Sequence, residues 1–284
     1  MNFLTDLFNN PFLQNALLAG ILISLAAGIM GSYAVVKKIT SLSGAISHSI
    51  LGGIGIFAFL TYKNPVWYFS PTIGAFLAAV ISAFLIGFVH LKYAQKEGAA
   101  VSAIWSTGMA IGVIFISFIP SSNVEFSEFL FGNILFISKF NLLMLLVLNL
   151  IILAAVTCFY RPFLAICFDE ESAKLQKIPV KTYYLLLLSL ISLSIVLLVQ
   201  IIGVILVIAL LTLPPTIATL FSRRLYMIMI ISTILCVLLN TGGICLSYTL
   251  NFPPGATIAL LAVVAYALAL LIKKKKQQKI RSLS

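Results

Sequence analysis

Nine apolar stretches, at about 12–36, 44–62, 67–91, 98–119, 140–159, 183–199, 201–221, 226–250 and 255–272, contain no Asp, Glu, Lys or Arg. Runs of about 20 such residues are long enough to cross a hydrocarbon core as helices. Inside that core each backbone N–H and C=O must find its partner within the chain. The pattern therefore predicts an all-α polytopic membrane protein with eight to nine transmembrane helices. Only 9% of the 284 residues are charged, against about 25% in soluble domains. The first run follows Asp6 alone, with no basic stretch and no evident cleavage site, and reads as a retained span.

The charges that remain lie between the runs, and they are not spread evenly. Sixteen of the eighteen basic residues fall in alternate loops: Lys37 and Lys38, Lys92 and Lys96, Arg161 to Lys181, Arg223 and Arg224, and the tail from Lys273 to Arg281. Lys63 and Lys139 are the exceptions. The positive-inside rule places those loops in the cytoplasm, with the N-terminus outside and the C-terminus inside. Loops 161–182 and 222–225 then share one side, so two spans must fit into 183–221, with a tight turn expected near Gln200. The placement of the net charge of +11 argues against a nucleic-acid surface, and the tail's lysine run reads as this topology signal plus contact with anionic headgroups. A single transmembrane domain over 1–284 is expected, ending in a basic cytoplasmic tail at 273–284.

Small residues recur at four-residue steps: Gly20/Ser24/Gly28, Gly74/Ala78/Ser82 and Gly108/Gly112. Such stripes let helix backbones approach closely. Cys158, Cys167, Cys236 and Cys245 show no CxxC or CxxH spacing; most fall in or beside spans, where a free thiol behaves as a small apolar residue.

One side chain does not fit an apolar interior. His48 lies inside the second run, and the only other histidine, His90, lies near the end of the third. A polar group at membrane depth faces protein or a water-filled path, and imidazole is both a metal ligand and a proton acceptor. Gly44, His48 and Gly52 share one helix face, flanked by Ser47 and Ser49. That surface exposes a single donor among neighbours too small to cover it. A histidine hydrogen-bonded across a packed interface is the competing reading. One imidazole does not make a tight site, so Glu125 and Glu128 of the outer loop 120–139, and Asn251, are the candidate co-ligands. An ordinary solvated loop also accounts for the glutamates.

Backbone breaks concentrate in the second half: Pro214–Pro215, Asn240-Thr-Gly-Gly243, and Asn251-Phe-Pro-Pro-Gly255. Each reads either as a kink or as a break lining a cavity. In the longest cytoplasmic loop, Asp169, Glu170 and Glu171 precede Lys174 and Lys177, an order that complements a helix dipole. A short amphipathic helix there would expose Leu175 and Ile178 for docking, with Pro179 as its stop. No GxxxxGK[ST] phosphate loop occurs and no catalytic signature is visible. An energy source, if used, is a separate subunit, and no enzymatic activity is expected of this chain.

Gly28–Lys38 (GIMGSYAVVKK), Ala45–Gly53 (AISHSILGG), Phe129–Ser138 (FLFGNILFIS), Phe168–Pro179, Gly203–Arg224 and Pro253–Leu260 (PPGATIAL) together resemble, in order, the integral-membrane permease of metal-ion ABC importers. The resemblance implies a vitamin-B12-importer-like fold in the bacterial inner membrane. It implies three kinds of partner: a cytoplasmic ABC ATPase, an external metal-binding solute-binding protein, and a second permease copy, identical or paralogous. The cargo would be zinc, slightly ahead of manganese or iron, with no cofactor resident in the chain. On that model segment 168–179 couples to the ATPase, through Asp169, Glu170, Ala173, Leu175 and Ile178, and the His48 helix lines the path. The sequence departs from the family at Gly44, where a carboxylate is usual, at Lys177, where a glycine is usual, and at Pro215. An iron-siderophore or vitamin-type ABC permease is the alternative within transport. An ion-driven secondary metal carrier is the alternative outside the ABC class, and no span offers it a carboxylate.

Overall fold

The structure, a computed structural model, describes residues 10–65, 70–93, 97–119, 126–132, 134 and 137–281. Among the described residues the chain is helical: Pro11–Val36 (α1), Thr40–Lys63 (α2), Pro71–Tyr93 (α3), Glu97–Ser117 (α4), Phe126–Phe131 (α5), Lys139–Cys158 (α6), Tyr160–Phe168 (α7), Glu170–Leu175 (α8), Val180–Phe221 (α9), Leu225–Leu250 (α10) and Pro254–Arg281 (α11). Eight of these are long and apolar enough to cross a membrane. Start signals are local. Asn10 caps α1, its side chain accepting the Phe12 N–H at 3.0 Å, with Pro11 at the first helical position. Proline also opens α3 and α11.

The long helix departs from expectation. α9 is 42 residues, about 63 Å at 1.5 Å per residue and so roughly twice a bilayer core. The chain stays helical through Gln200, where a turn was expected, and breaks at Gly203 (φ 77°, ψ 164°). That conformation is essentially restricted to glycine. Gly132, itself at φ 62°, meets it backbone to backbone: a Cβ on Gly203 would lie 2.5 Å from the Gly132 nitrogen and from the Leu130 carbonyl oxygen. Segments 180–202 and 204–221 on either side are each long enough to span.

Two compact units are formed. In the first, residues 1–38, 133–150 and 205–284, α1 packs antiparallel to α10. A Cβ on Gly28 would lie 2.6 Å from Thr233 Cα, while Gly20 sits beside Asn240 and Ile244. Asn240 is fully buried and donates from Nδ2 to the Gly20 carbonyl (3.1 Å) and to Ser24 Oγ (2.8 Å). Asn149 does the same on the other flank, bonding the Leu22 carbonyl at 3.0 Å. Interhelical polar bonds in membranes contribute about 1 kcal/mol each. Asn240 to Gly243 is therefore no break: α10 is helical from end to end, and the polar residue ties two helices together. Pro214 and Pro215 likewise lie within helical α9.

In the second unit, residues 39–132 and 151–204, α2 is the centre. A Cβ on Gly52 would lie 2.9 Å from the Gly108 carbonyl oxygen, and one on Gly55 2.6 Å from that of Gly112, so α2 and α4 run parallel in contact. Gly53 meets Gly74, and Ser82 Oγ donates to Ser49 Oγ at 2.8 Å, so α3 runs antiparallel. All three small-residue stripes are packing seams, as their spacing predicts. The antiparallel α1–α10 pair puts Lys37–Lys38 and Arg223–Arg224 at one end of the first unit. In the second, α3 ends at the level where α2 and α4 begin.

Candidate functional site

His48 stands on α2, eight residues or about 12 Å from the helix start at Thr40. Its ring lies flat against Trp105 of α4, centroids 4.5 Å apart and planes 16° from parallel. The imidazole is half-buried, and neither its Nδ1 nor the neighbouring Ser47 Oγ meets a hydrogen-bond partner. Gly44, one turn before, belongs to the same surface: a Cβ there would lie 3.2 Å from Trp105 Cζ3. The bare glycine face admits the indole, and the indole covers one side of the imidazole. A turn further on, α2 opens onto a cavity of about 300 Å³ lined in part by Ser49, Gly52, Gly53, Ser82, Thr107 and Gly108. The result is a strip of small and hydroxyl residues that begins one residue after His48, whose Nδ1 is itself buried.

The candidate co-ligands lie on other segments of the chain. Glu125 lies outside the described residues. Glu128 is on α5, with side-chain surroundings outside them too. Asn251 belongs to the first unit and ends α10 in the left-handed conformation (φ 53°), its N–H bonded to the Ser247 carbonyl. That geometry is a turn function for which asparagine is well suited. Among the described residues no three His, Cys, Asp or Glu side chains lie close enough to share a metal.

The segment 168–179, expected to couple to a partner, forms a second, better defined feature. α7 and α8 meet at Asp169, whose Oδ1 accepts the N–H groups of Glu171 (3.0 Å) and Ser172 (3.2 Å). α8 closes at Lys177, at φ 60°. The Lys177 N–H bonds the Lys174 carbonyl at 2.9 Å and the Ile178 N–H bonds the Ala173 carbonyl at 3.1 Å, the paired bonds of a Schellman stop. The helix thus ends before Pro179 is reached. Of the expected docking residues, Leu175 is 86% exposed. Ile178 is only half-buried, and Ala173 is fully buried and anchors the segment. A cleft of about 370 Å³ beside them is lined by Arg161, Phe168, Asp169 and Ser172, among others.

Glu170 faces inward to a partner that sequence spacing does not suggest. His90 Nε2 lies 3.2 Å from Glu170 Oε1, and the His90 ring stacks on buried Tyr184 at 4.4 Å. The last turn of α3 is thereby joined to α8 across 80 residues of sequence. The lone histidine at a span end was the available signal; its partner was not legible. Trp105 was also missed, because a tryptophan in an apolar run reads as ordinary lipid-facing bulk.

Residues 9–273 match the model of the ABC 3 transport family. The chain belongs to the ABC 3 transport family. A family member from Chlamydia trachomatis, described as "Probable metal transport system membrane protein", is 47% identical over 266 residues, covering 93% of this chain and 90% of that one. The manganese transport system membrane protein MntC of Halalkalibacterium halodurans is 32% identical over 274 residues, covering 96% and 91%. Among solved structures, PsaBC from Streptococcus pneumoniae in complex with Fab superposes on this ABC 3 chain with a TM-score of 0.81 at 27% identity, covering 94% of each chain. The family assignment and the all-helical permease fold agree with the resemblance read from the sequence.

Proposed function

We propose that this ABC 3 chain is the permease of an importer that moves a divalent transition metal across the bacterial inner membrane, driven by a separate ATPase. The observation that carries the reading is the His48 face: one nitrogen donor on a strip of glycine and serine in an otherwise apolar, membrane-length helix. A single donor holds a metal weakly enough for release, as a pathway requires. The names of the Chlamydia and Halalkalibacterium relatives point to metal transport and, for one, to manganese. The lack of a carboxylate beside His48 favours zinc, since imidazole suits zinc and carboxylate suits manganese.

The remaining roles follow the same reading. The capped α8 with its exposed Leu175 docks the ATPase, and a solute-binding protein delivers metal to the opposite face. A second permease copy completes the path. The basic loops face the cytoplasm, with the N-terminus outside. Reconstitution of the permease with its ATPase and binding protein in vesicles tests this directly. Uptake of radiolabelled zinc, manganese or iron should require ATP hydrolysis. Uptake that proceeds equally without ATP overturns the reading, and competition among the three metals identifies the cargo.

A further inference from the structure

The outward face of α3 carries a cleft of about 650 Å³ whose lining changes character along its length. At one end Val80, Phe84 and Phe88 of α3, with Leu185 of α9, make an apolar trough; at the other stand Lys92 and Lys181. Phe84 is 49% and Phe88 57% exposed. The Lys92 ammonium lies 5.6 Å from the centroid of the Phe88 ring, so the charge sits directly at the end of the trough. From Val80 to Lys92 the helix rises about 18 Å, close to half of a hydrocarbon core about 30 Å thick.

We propose that this cleft binds an anionic phospholipid of the cytoplasmic leaflet, an acyl chain lying along Val80 to Phe88 and the phosphate held between Lys92 and Lys181. The length of the trough matches one leaflet, which places both lysines at headgroup level. Two ammonium groups suit a net negative headgroup, while a zwitterionic one brings its own cation among them. A second copy of the chain fits worse, because an isologous contact centred here gathers four lysines in one place. At about one kcal/mol of attraction per lysine, the two lysines correspond to roughly a 25-fold preference for an anionic over a zwitterionic lipid. The inference depends on the orientation of the basic loops and not on the cargo, so it survives or fails independently of metal transport.

The test is lipid retention by the full-length chain purified in detergent. It is titrated with dioleoyl-phosphatidylglycerol or dioleoyl-phosphatidylcholine and followed by native mass spectrometry. The wild type should retain phosphatidylglycerol roughly 25-fold better than phosphatidylcholine. Lys92→Gln with Lys181→Gln should abolish the preference, Lys92→Arg with Lys181→Arg should keep it, and Lys63→Gln with Lys139→Gln, the two lysines outside the basic loops, should leave it intact. Equal retention of both lipids by the wild type overturns the proposal. So does a loss in the Lys63 and Lys139 variant matching that in the cleft variant. A Phe84→Cys chain that forms a disulfide-linked dimer in native membranes also overturns it, assigning the cleft to a second copy.

Discussion

Around His48 a single indole sets what the helix face can bind. Trp105 stacks on one face of the imidazole and rests over Gly44, while the ring Nδ1 is buried without a hydrogen-bond partner. His48→Ala removes that donor while leaving the α2–α4 seam, which rests on glycines, in place. ATP-driven metal uptake should fall by about tenfold or more, the equivalent of about 1.4 kcal/mol; uptake unchanged in that variant would make the histidine a packing residue. Gly44→Asp adds a carboxylate one turn from the imidazole, and its Cβ, 3.2 Å from the ring, is accommodated by a small shift of the indole. A hard oxygen donor should move the preference of the transporter toward manganese, read as the ratio of manganese to zinc uptake in competition.

At the scale of elements, α8 is a six-residue helix too short to persist on intrinsic propensity. Its fixed points are the Asp169 cap, the buried Ala173, the Glu170–His90 contact and the stop at Lys177. These hold Leu175 outward on a fixed support. Asp169→Ala removes two charge-assisted cap bonds, costing about 1 kcal/mol. Hydrogen exchange over 170–176 should accelerate while the transmembrane helices keep their protection. Lys177→Gly acts oppositely: a non-glycine residue at φ 60° carries roughly 1–2 kcal/mol of strain, so the same amides should exchange more slowly in that variant. Capping and stopping were partly readable, since an acidic start followed by basic residues appears in the loop itself. The inward anchor was not, because His90 and Glu170 become neighbours only after α3 and α8 have packed.

For the whole molecule, Gly203 matters most. It divides the 42-residue α9 and falls at the boundary between the two compact units. Gly203→Val forces a β-branched side chain into a conformation that costs about 1–3 kcal/mol and drives its Cβ into the backbone at Gly132. The variant should accumulate poorly in membranes and, when purified, unfold at a lower temperature than the wild type; equal yield and equal Tm would refute the argument. The break lies at Gly203, not at Gln200, because helical hydrogen bonding tolerates a glutamine, whereas it cannot continue through a residue with positive φ.

Much of the fold was legible in sequence because its causes are local. Uncharged runs of spanning length, small residues at four-residue steps and basic residues in alternate loops each act within a few turns of chain. They were sufficient for eight to nine spanning helices and the faces that pack, while the family was legible in the ordered motif fragments. Sequence alone also set His48 apart, since the bilayer makes any polar side chain in such a run conspicuous. Contacts at long separation were decided by tertiary structure. Asn240 looked like a break until α1 supplied acceptors at Gly20 and Ser24. His90 looked idle until α8 brought Glu170 within 3.2 Å, and Gly44 looked like a simple loss until Trp105 was found above it. The reason is common to all three: a polar or bare position is costly or harmless depending on what packs against it, and in a helical membrane protein that neighbour comes from a helix distant in the chain.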